Sequence, residues 1–212
     1  MPKKINLATQ RRAIASAAIS VIRTTGLEGA RLRDVARAAE VTTGAVMHYF
    51  DDKDAVLEAA LEEIVRRTLA RMEAPRAPGT PTEAPGDLAA FVGRVCRYLP
   101  VDPESLGEWQ VWLAFWGRAA SNERLRRVHR RHYQGIVDRL VGPLQALVID
   151  RQPPAPEETR HCADALIAAI DGVGTRATLE PDLWPPPRQK ATLAALLLPM
   201  LAAFAQGTHA GA

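Results

Sequence analysis

The sequence LRDVARAAEVTTGAVMHYFDDKDAVL, residues 32–57, decides the fold. Its apolar residues recur at spacings of three and four, which is typical of amphipathic helices. The pattern predicts a short helix at 32–39, a turn filled by Val41, a second short helix at 43–49 and the start of a third. Two short helices joined by about three residues form a helix-turn-helix unit. Because this unit cannot bury its own apolar faces, further helices must pack before and after it.

The charge of the chain is unevenly distributed. The 212 residues carry a net charge of +3, from 27 Lys and Arg against 24 Asp and Glu. Residues 1–50 hold 8 basic and 3 acidic residues, a balance of +5, and the remainder holds 19 and 21, a balance of −2. A basic segment that coincides with a helix-turn-helix pattern indicates a polyanionic partner, namely double-stranded DNA.

Several features argue against a secreted or membrane protein. The chain starts Met-Pro-Lys-Lys with no apolar segment behind it, so we expect no signal peptide. The longest apolar run, 191–205, is shorter than the roughly 18 residues of a membrane span and contains a proline. The two cysteines, Cys96 and Cys162, form no disulfide framework. We therefore expect a cytoplasmic protein that is not associated with a membrane.

The rest of the chain also reads as helices. Helical patterns cover 9–25, about 53–73, 88–99, about 103–120, 123–149, 157–179 and 188–206, and no alternating strand pattern occurs. Residues 74–86 hold four prolines and two glycines, which excludes a helix there. The predicted fold is all-α, with about nine helices and a break near this proline-rich loop.

Helix 43–49 is the candidate recognition helix. Thr42 can cap it and offer a hydroxyl to a phosphate, and Gly44 lets the backbone approach DNA. Thr43, Met47 and His48 are expected to point outward, towards base edges. Adding the residues placed for backbone contact, the predicted DNA-binding set is Arg31, Arg33, Thr42, Thr43, Gly44, Met47, His48, Tyr49 and Lys53. Each residue alone has an ordinary structural explanation; the set together indicates DNA binding.

These motifs resemble the DNA-binding domain of the TetR family of transcriptional repressors. The resemblance is carried by Gly26, by VTTGAV at 41–46 and by YFDDKDAVL at 49–57. It implies a DNA-binding domain at 1–52 and a larger effector-binding and dimerisation domain at 53–212, linked by helix 53–73. EWQVWLAFW at 108–116 and IDGVGTRATL at 170–179 resemble segments of the BetI-like branch, with Gly174 in place of a usual tryptophan.

Three positions depart from the family pattern. Glu40 stands where the family usually has the turn glycine, and in a left-handed conformation it would cost about 1 kcal/mol. Arg31 replaces a common threonine and adds a charge that can reach a phosphate. Met47 replaces a tyrosine that often contacts DNA in the family. Glu40 and Met47 favour an alternative function, a helical small-molecule-binding protein whose DNA-binding unit is weakened.

An aromatic segment is the candidate effector site. Helical spacing puts Trp109, Trp112 and Trp116 on one face, and such residues pack a core more often than they line a pocket. A pocket of this kind can hold a quaternary ammonium ion by cation–π attraction, or a flat apolar molecule by stacking. The resemblance implies a choline-like effector. The predicted ligand-binding set is Cys96, Tyr98, Trp109, Trp112, Phe115, Trp116, Tyr133 and Ile136.

The basic sequence RLRRVHRRHY, residues 124–133, has two interpretations. A solvated helix face with Leu125 and Val128 inward is the simpler one, and a site for an anionic effector is the other. His129 and His132 lie three residues apart, but no Cys, Asp or Glu stands within helical reach on their face, so we expect no metal site.

The last two helices are the candidate dimer interface. Residues 191–205 are apolar almost all round, which is more than one buried stripe needs. In the TetR family the last two helices form a four-helix dimer interface, which implies a homodimer here. The predicted interface residues are Leu166, Ile170, Val173, Leu193, Leu197, Met200, Leu201 and Phe204.

Together these features predict a transcriptional regulator that binds a palindromic DNA operator as a homodimer. A small-molecule effector would release it, as expected of a repressor. No catalytic triad, phosphate-binding glycine loop or pair of inward carboxylates appears at useful spacing, so we expect neither an enzyme nor a cofactor.

Overall fold

A computed structural model describes residues 7–73, 84, 86–149 and 152–207. Across these residues the chain forms nine α-helices, one short 3-10 helix and no strand, so the predicted all-α fold is confirmed. Residues 3 and 4 and most of the predicted loop 74–86 lie outside the described residues. The helices are α1 Leu7–Gly29, α2 Leu32–Ala38, α3 Thr43–Tyr49, α4 Lys53–Glu73, α5 Leu88–Val95, the 3-10 helix Cys96–Tyr98, α6 Pro103–Ala119, α7 Glu123–Gln145, α8 Pro156–Leu179 and α9 Pro186–Gln206.

Helix ends follow the local chemistry of the sequence. The carboxylates of Asp52 and Asp87 accept the backbone N–H groups of Ala55 and Ala90 at 2.7 and 2.9 Å, and they thereby cap the N-termini of α4 and α5. Gly26 has φ 67° and ψ 170°, and it interrupts α1 before a last turn at 27–29. The end of α7 comes earlier than the predicted residue 149, because the chain closes in tight turns in which Leu147 and Val148 donate to the carbonyls of Leu144 and Gln145.

The helices form two compact units. The first unit comprises residues 1–71 and 103–129, and the second comprises 72–102 and 130–212. The predicted division into a DNA-binding domain at 1–52 and an effector domain at 53–212 stays a prediction.

The first unit is built around α1, the helix-turn-helix, α4 and α6. Its core is a continuous apolar cluster that includes Ile14, Val46, Leu61, Phe115 and Leu125, each fully buried. The side chain of Arg23 on α1 lies over Gly107 on α6, where a Cβ atom would lie 1.9 Å from its Nε. The guanidinium of Arg23 also donates to the carbonyl of Pro103 at 2.9 Å, which ties α1 to the first turn of α6.

The second unit packs α9 against α5 and α8. The buried side chains of Leu166 on α8 and of Leu193, Leu197 and Leu201 on α9 are among those that fill it. Gln189 is also buried, and its Nε2 donates to the carbonyls of Pro100 and Trp184 at 3.1 and 2.9 Å. Among the described residues, none of the helices combines the length and the apolar character that a membrane span requires.

Candidate nucleic-acid interface and aromatic cluster

Helix α3 presents one buried and one exposed face. Val46 is fully buried, whereas Met47 is 62% exposed, and Thr43, Gly44 and His48 are exposed as well. Tyr49 is half-buried and packs against the core. The outward orientation predicted for the polar face therefore matches the structure, and the base contacts assigned to it stay a prediction.

Thr42 begins α3 in the predicted way. Its φ and ψ are −77° and 154°, and its hydroxyl oxygen accepts the N–H of Ala45 at 3.1 Å. A hydroxyl that accepts one hydrogen bond still has its own hydrogen to donate. Thr42 is exposed, so this hydrogen is available to a phosphate oxygen. The surface at Gly44 is open, since a Cβ atom built there would have only the Thr42 hydroxyl as a neighbour, at 3.8 Å.

The turn before α3 contains the departure at Glu40. The N–H of Glu40 donates to the carbonyl of Arg37 at 3.1 Å, and the N–H of Val41 donates to that of Ala36 at 2.9 Å. These two bonds define a Schellman motif at the C-terminal end of α2. In this motif the residue after the C-cap, here Glu40, is left-handed. Glu40 has φ 55°, so it adopts the left-handed conformation for which the sequence implies a cost, and it is the one non-glycine residue with positive φ in the described chain.

An arginine of α1 fixes the other end of α3. Nη1 of Arg11 donates to the carbonyl of Tyr49 at 3.1 Å, and its guanidinium lies 4.6 Å from the ring centroid of buried Phe50. The carbonyl belongs to the last turn of α3, where a cation is favoured. Apart from the basic character of α1, no feature of the sequence indicates this contact.

The residues predicted to contact phosphates differ in their exposure and in the contacts that their charged groups already make. Arg31 and Arg33 are exposed, and Arg33 lies 4.0 Å from the neighbouring carboxylate of Asp34. Lys53 is half-buried, and its Nζ donates to the carbonyl of Leu27. An ammonium group has three donors, so this bond leaves two for other acceptors.

The aromatic residues of α6 form a cluster that is partly core. Phe115 is fully buried and Trp109 is 7% exposed, whereas Trp112 and Trp116 are half-buried. The rings of Trp109 and Trp116 meet edge to face with centroids 6.0 Å apart, and those of Trp112 and Trp116 are 5.9 Å apart. The indole Nε1 of Trp116 is buried and has no hydrogen-bond partner in the described chain. A buried N–H group without a partner lowers the free energy of unfolding unless another group accepts its hydrogen.

The other predicted ligand-binding residues lie in the second unit. Cys96 is buried, and burial raises the pKa of its thiol. Tyr98, Tyr133 and Ile136 are half-buried, and burial also raises the pKa of the Tyr98 phenol. The hydroxyl of Tyr133 donates to Oδ2 of Asp171 at 2.7 Å, a partner that the sequence did not suggest. The structure thus brings the α6 aromatics together and pairs Tyr133 with Asp171.

Polar contacts connect the aromatic helix to α4. Arg118 near the end of α6 donates to Oδ1 of Asp54, and Nδ2 of Asn122 donates to Oδ2 of the same carboxylate at 2.8 Å. Arg124 of α7 donates to Asp52 at 2.9 Å. Asp52 and Asp54 belong to the cap and first turn of α4, directly after α3. The end of α6 therefore contacts the segment that follows the candidate recognition helix.

The basic segment 124–133 behaves as a solvated helix face. Leu125 and Val128 are buried, as expected, while Arg126 and Arg127 pair with Glu123 at 2.7 and 3.5 Å. Burial lowers the pKa of His129, so that its imidazole is more readily neutral. Within the described residues, no three His, Cys, Asp or Glu side chains are grouped as a metal ion requires.

The residue set predicted for the dimer interface needs correction. All of its members except Met200 are buried inside the chain, namely Leu166, Ile170, Val173, Leu193, Leu197, Leu201 and Phe204. Their side chains fill the second unit, so they are not available to a partner. The large apolar residues of this region that remain exposed are Leu179 at 68%, Leu183 at 58%, Leu196 at 52% and Leu198 at 36%.

Comparison with known proteins gives matches over most of the chain. The profile of bacterial regulatory proteins of the tetR family matches residues 14–60, and that of the BetI-type transcriptional repressor C-terminal region matches residues 88–202. The HTH-type transcriptional regulator BetI of Burkholderia thailandensis is 32% identical over 179 residues, which cover 84% of this chain and 87% of that protein.

Solved structures agree with these matches. A transcriptional regulator from Rhodococcus sp. Rha1 is 29% identical with a TM-score of 0.73, covering 93% of this chain and 96% of that one. A putative transcriptional regulator from Saccharomonospora viridis, solved in complex with choline, has a TM-score of 0.69 over 89% of this chain and 95% of that one. At 21% identity, this second structure establishes similarity of fold alone.

Proposed function

This chain belongs to the TetR family of transcriptional regulators, in its BetI-type branch, and from that membership we propose how it works. It is a DNA-binding regulator, and we infer that it is a homodimeric repressor that inserts α3 into the major groove of a palindromic operator. A small organic effector that contacts the aromatic cluster of α6 releases it. The observation that carries the proposal is the two-faced α3, with Val46 buried and Met47 exposed beside it.

The exposed face of α3 supports base contacts of a limited kind. The thioether of Met47 is apolar and suits a thymine methyl group, and the imidazole of His48 can donate to a base-edge acceptor. Thr43 adds a hydroxyl that can donate or accept. Arg31, Arg33 and Lys53 carry charges that suit phosphates, which fix the position of the protein but do not read sequence.

The polar contacts between α6 and α4 support a route from effector to DNA. An effector that displaces the half-buried rings of Trp112 and Trp116 would move α6, and Arg118 would carry the displacement to Asp54. Since Asp54 follows α3 by only a few residues, the spacing of the two recognition helices in a dimer would change. An effector shifts this equilibrium only by its difference in affinity for the two conformations.

Exposed leucines support a dimer through the C-terminal helices. Leu196 and Leu198 on α9 are exposed in the single chain. Burial of such large apolar side chains against a partner is favourable. We expect Leu196→Glu to convert the dimer into a monomer in sedimentation analysis. Lys190→Glu, at an exposed position of the same helix, is the matched control and should leave the dimer intact.

The test of the proposed function is binding to the protein's own promoter. Footprinting should show two protected half-sites about one helical turn apart, and the affinity should fall steeply as salt rises. His48→Ala and Met47→Ala should weaken binding to this site, whereas Gln110→Ala at an exposed position of α6 should not. Protection of a single half-site would contradict the dimeric model. If the protein bound small molecules but did not bind operator DNA, the alternative would be favoured. That alternative is a small-molecule-binding protein with a weakened DNA-binding unit.

A further inference from the structure

Helix α3 is only 7 residues long, and side-chain contacts hold it at both ends. At its start the hydroxyl oxygen of Thr42 accepts the N–H of Ala45 at 3.1 Å. At its end the chain becomes extended at Phe50, with φ −141° and ψ 123°, so no further helical turn supplies an N–H to the carbonyl of Tyr49. A helix of this length has little stability of its own, so its contacts with the rest of the unit set its orientation.

Arg11 of α1 supplies a donor for that carbonyl. Its Nη1 donates to the carbonyl oxygen of Tyr49 at 3.1 Å, and its guanidinium lies 4.6 Å from the ring centroid of Phe50. Phe50 is 2% exposed and belongs to the core of the first unit, so the flat guanidinium packs on a ring that the core holds in place. The positive charge also lies at the C-terminal end of a helix, where the helix dipole favours it. Two contacts of different kinds thus tie the end of α3 to α1.

The end of α3 that Arg11 holds carries a side chain proposed to read bases. His48 directly precedes Tyr49, and their rings meet edge to face with centroids 5.4 Å apart and an interplanar angle of 71°. Tyr49 is half-buried and packs against the core, whereas His48 is exposed. The Tyr49 ring therefore limits the orientations that are open to the imidazole. The bond from Arg11 fixes the backbone from which both rings project.

We propose that Arg11 is a positioning residue for operator recognition. It holds the last turn of α3, and through it His48, in the orientation that reads base edges. Hydrogen bonds to base edges depend steeply on distance and angle, so a small rotation of α3 weakens them more than it weakens attraction between charges. Removal of Arg11 therefore lowers the preference for one DNA sequence rather than the general attraction to DNA. The inference rests on the proposed insertion of α3 into the major groove.

A direct phosphate contact would be a different role for the same side chain. Each phosphate that a basic side chain neutralises releases counterions, so losing that contact makes the plot of log affinity against log salt shallower by about 0.9 and weakens binding to all sequences alike. Losing a positioning residue leaves that slope unchanged and weakens binding to the operator alone. A side chain that only stabilised the fold would lower the melting temperature and change neither quantity in the folded protein.

The experiment compares Arg11→Ala with Arg12→Ala, a matched control at the next position of α1, which is also exposed. The probes are two duplexes of equal length, one from the protein's own promoter and one with the same bases in scrambled order. Fluorescence anisotropy measures both affinities over a series of salt concentrations. We expect R11A to lower the preference for the promoter duplex at least ~10-fold, as the loss of one base-pair contact does, with an unchanged salt slope. R12A should keep the preference of the parent protein.

A double-mutant cycle tests the route through His48. If Arg11 acts by orienting this imidazole, R11A should lower the promoter preference much less in a His48→Ala background than in the parent. Arg11→Lys is a further variant. It keeps a donor for the Tyr49 carbonyl but not the flat guanidinium on Phe50, so its promoter preference should lie between those of the parent and R11A.

Three results would overturn the proposal. They are an unchanged promoter preference in folded R11A, a salt slope made shallower by one phosphate contact, and additive losses from R11A and H48A. If R11A fails to fold, R11K decides, and a promoter preference equal to that of the parent would then overturn the proposal. A parent protein that binds both duplexes equally would instead refute the proposed function, and this is measured before any variant.

Discussion

Replacing Glu40 by glycine should stabilise the protein. Glu40 has φ 55° and ends α2 in a Schellman turn, whose backbone hydrogen bonds glycine would preserve. A left-handed conformation costs an ordinary L-residue about 1–2 kcal/mol. Glycine avoids that cost but loses about 0.5–1 kcal/mol more conformational entropy on folding. The net gain in the free energy of unfolding is therefore about 0.5–1 kcal/mol.

Two variants separate the backbone effect from the charge effect. Glu40→Gly and Glu40→Ala both remove the carboxylate, but only glycine relieves the left-handed backbone. In a chain of this size, the expected gain corresponds to a rise in melting temperature of about 1–4 °C. Chemical denaturation should show that E40G is more stable than E40A. Both variants should bind operator DNA more tightly than the parent, because both remove a negative charge near the phosphates. Equal stability of E40G and E40A would refute the argument from backbone strain.

Thr42→Ala removes the cap of α3 and should lower the free energy of unfolding by about 1 kcal/mol, as measured by denaturation, with weaker operator binding. A double-mutant cycle on Arg118→Ala and Asp54→Ala should give a coupling below about 1 kcal/mol, because Arg118 is 43% exposed, yet both variants should respond less to effector. Burial raises the pKa of Asp171 to about 6, so the folded state binds an extra proton between pH 4 and 6. The stability that this proton confers is fully present below the unfolded pKa of 3.8 and is lost as pH rises through 6, so the parent should lose about 2 kcal/mol relative to Asp171→Asn between pH 4 and 8.

The sequence predicts features that depend on neighbours along the chain. The cap at Thr42, the buried Val46 and the left-handed Glu40 all follow from local pattern, because helix periodicity and capping act over a few residues. Contacts such as Arg11 with Tyr49 join residues that are far apart in sequence, and no local pattern reveals them. Arginine occurs throughout this chain, so composition alone does not indicate which arginine finds which partner.

The interface prediction failed for a different reason. Helix α9 is apolar almost all round, so periodicity does not show which face meets the core and which meets solvent. The structure resolves this, with Leu197 buried and Leu196 exposed beside it. Likewise, a carboxylate such as Asp171 looks ordinary in sequence, because its burial and its bond with Tyr133 depend on the packing of distant residues.

The close contact between Gly107 and Arg23 limits how the effector specificity of this protein can be changed. A library that varies the half-buried positions of α6, such as Trp112 and Trp116, alters side chains that partly face solvent. Any side chain at position 107 would instead push the Arg23 guanidinium away from the carbonyl of Pro103 and break one hydrogen bond between α1 and α6. Variants at that position would weaken the attachment of α6 to α1 whichever ligand is bound. Directed evolution towards a new inducer should therefore keep Gly107 fixed and randomise Trp112 and Trp116.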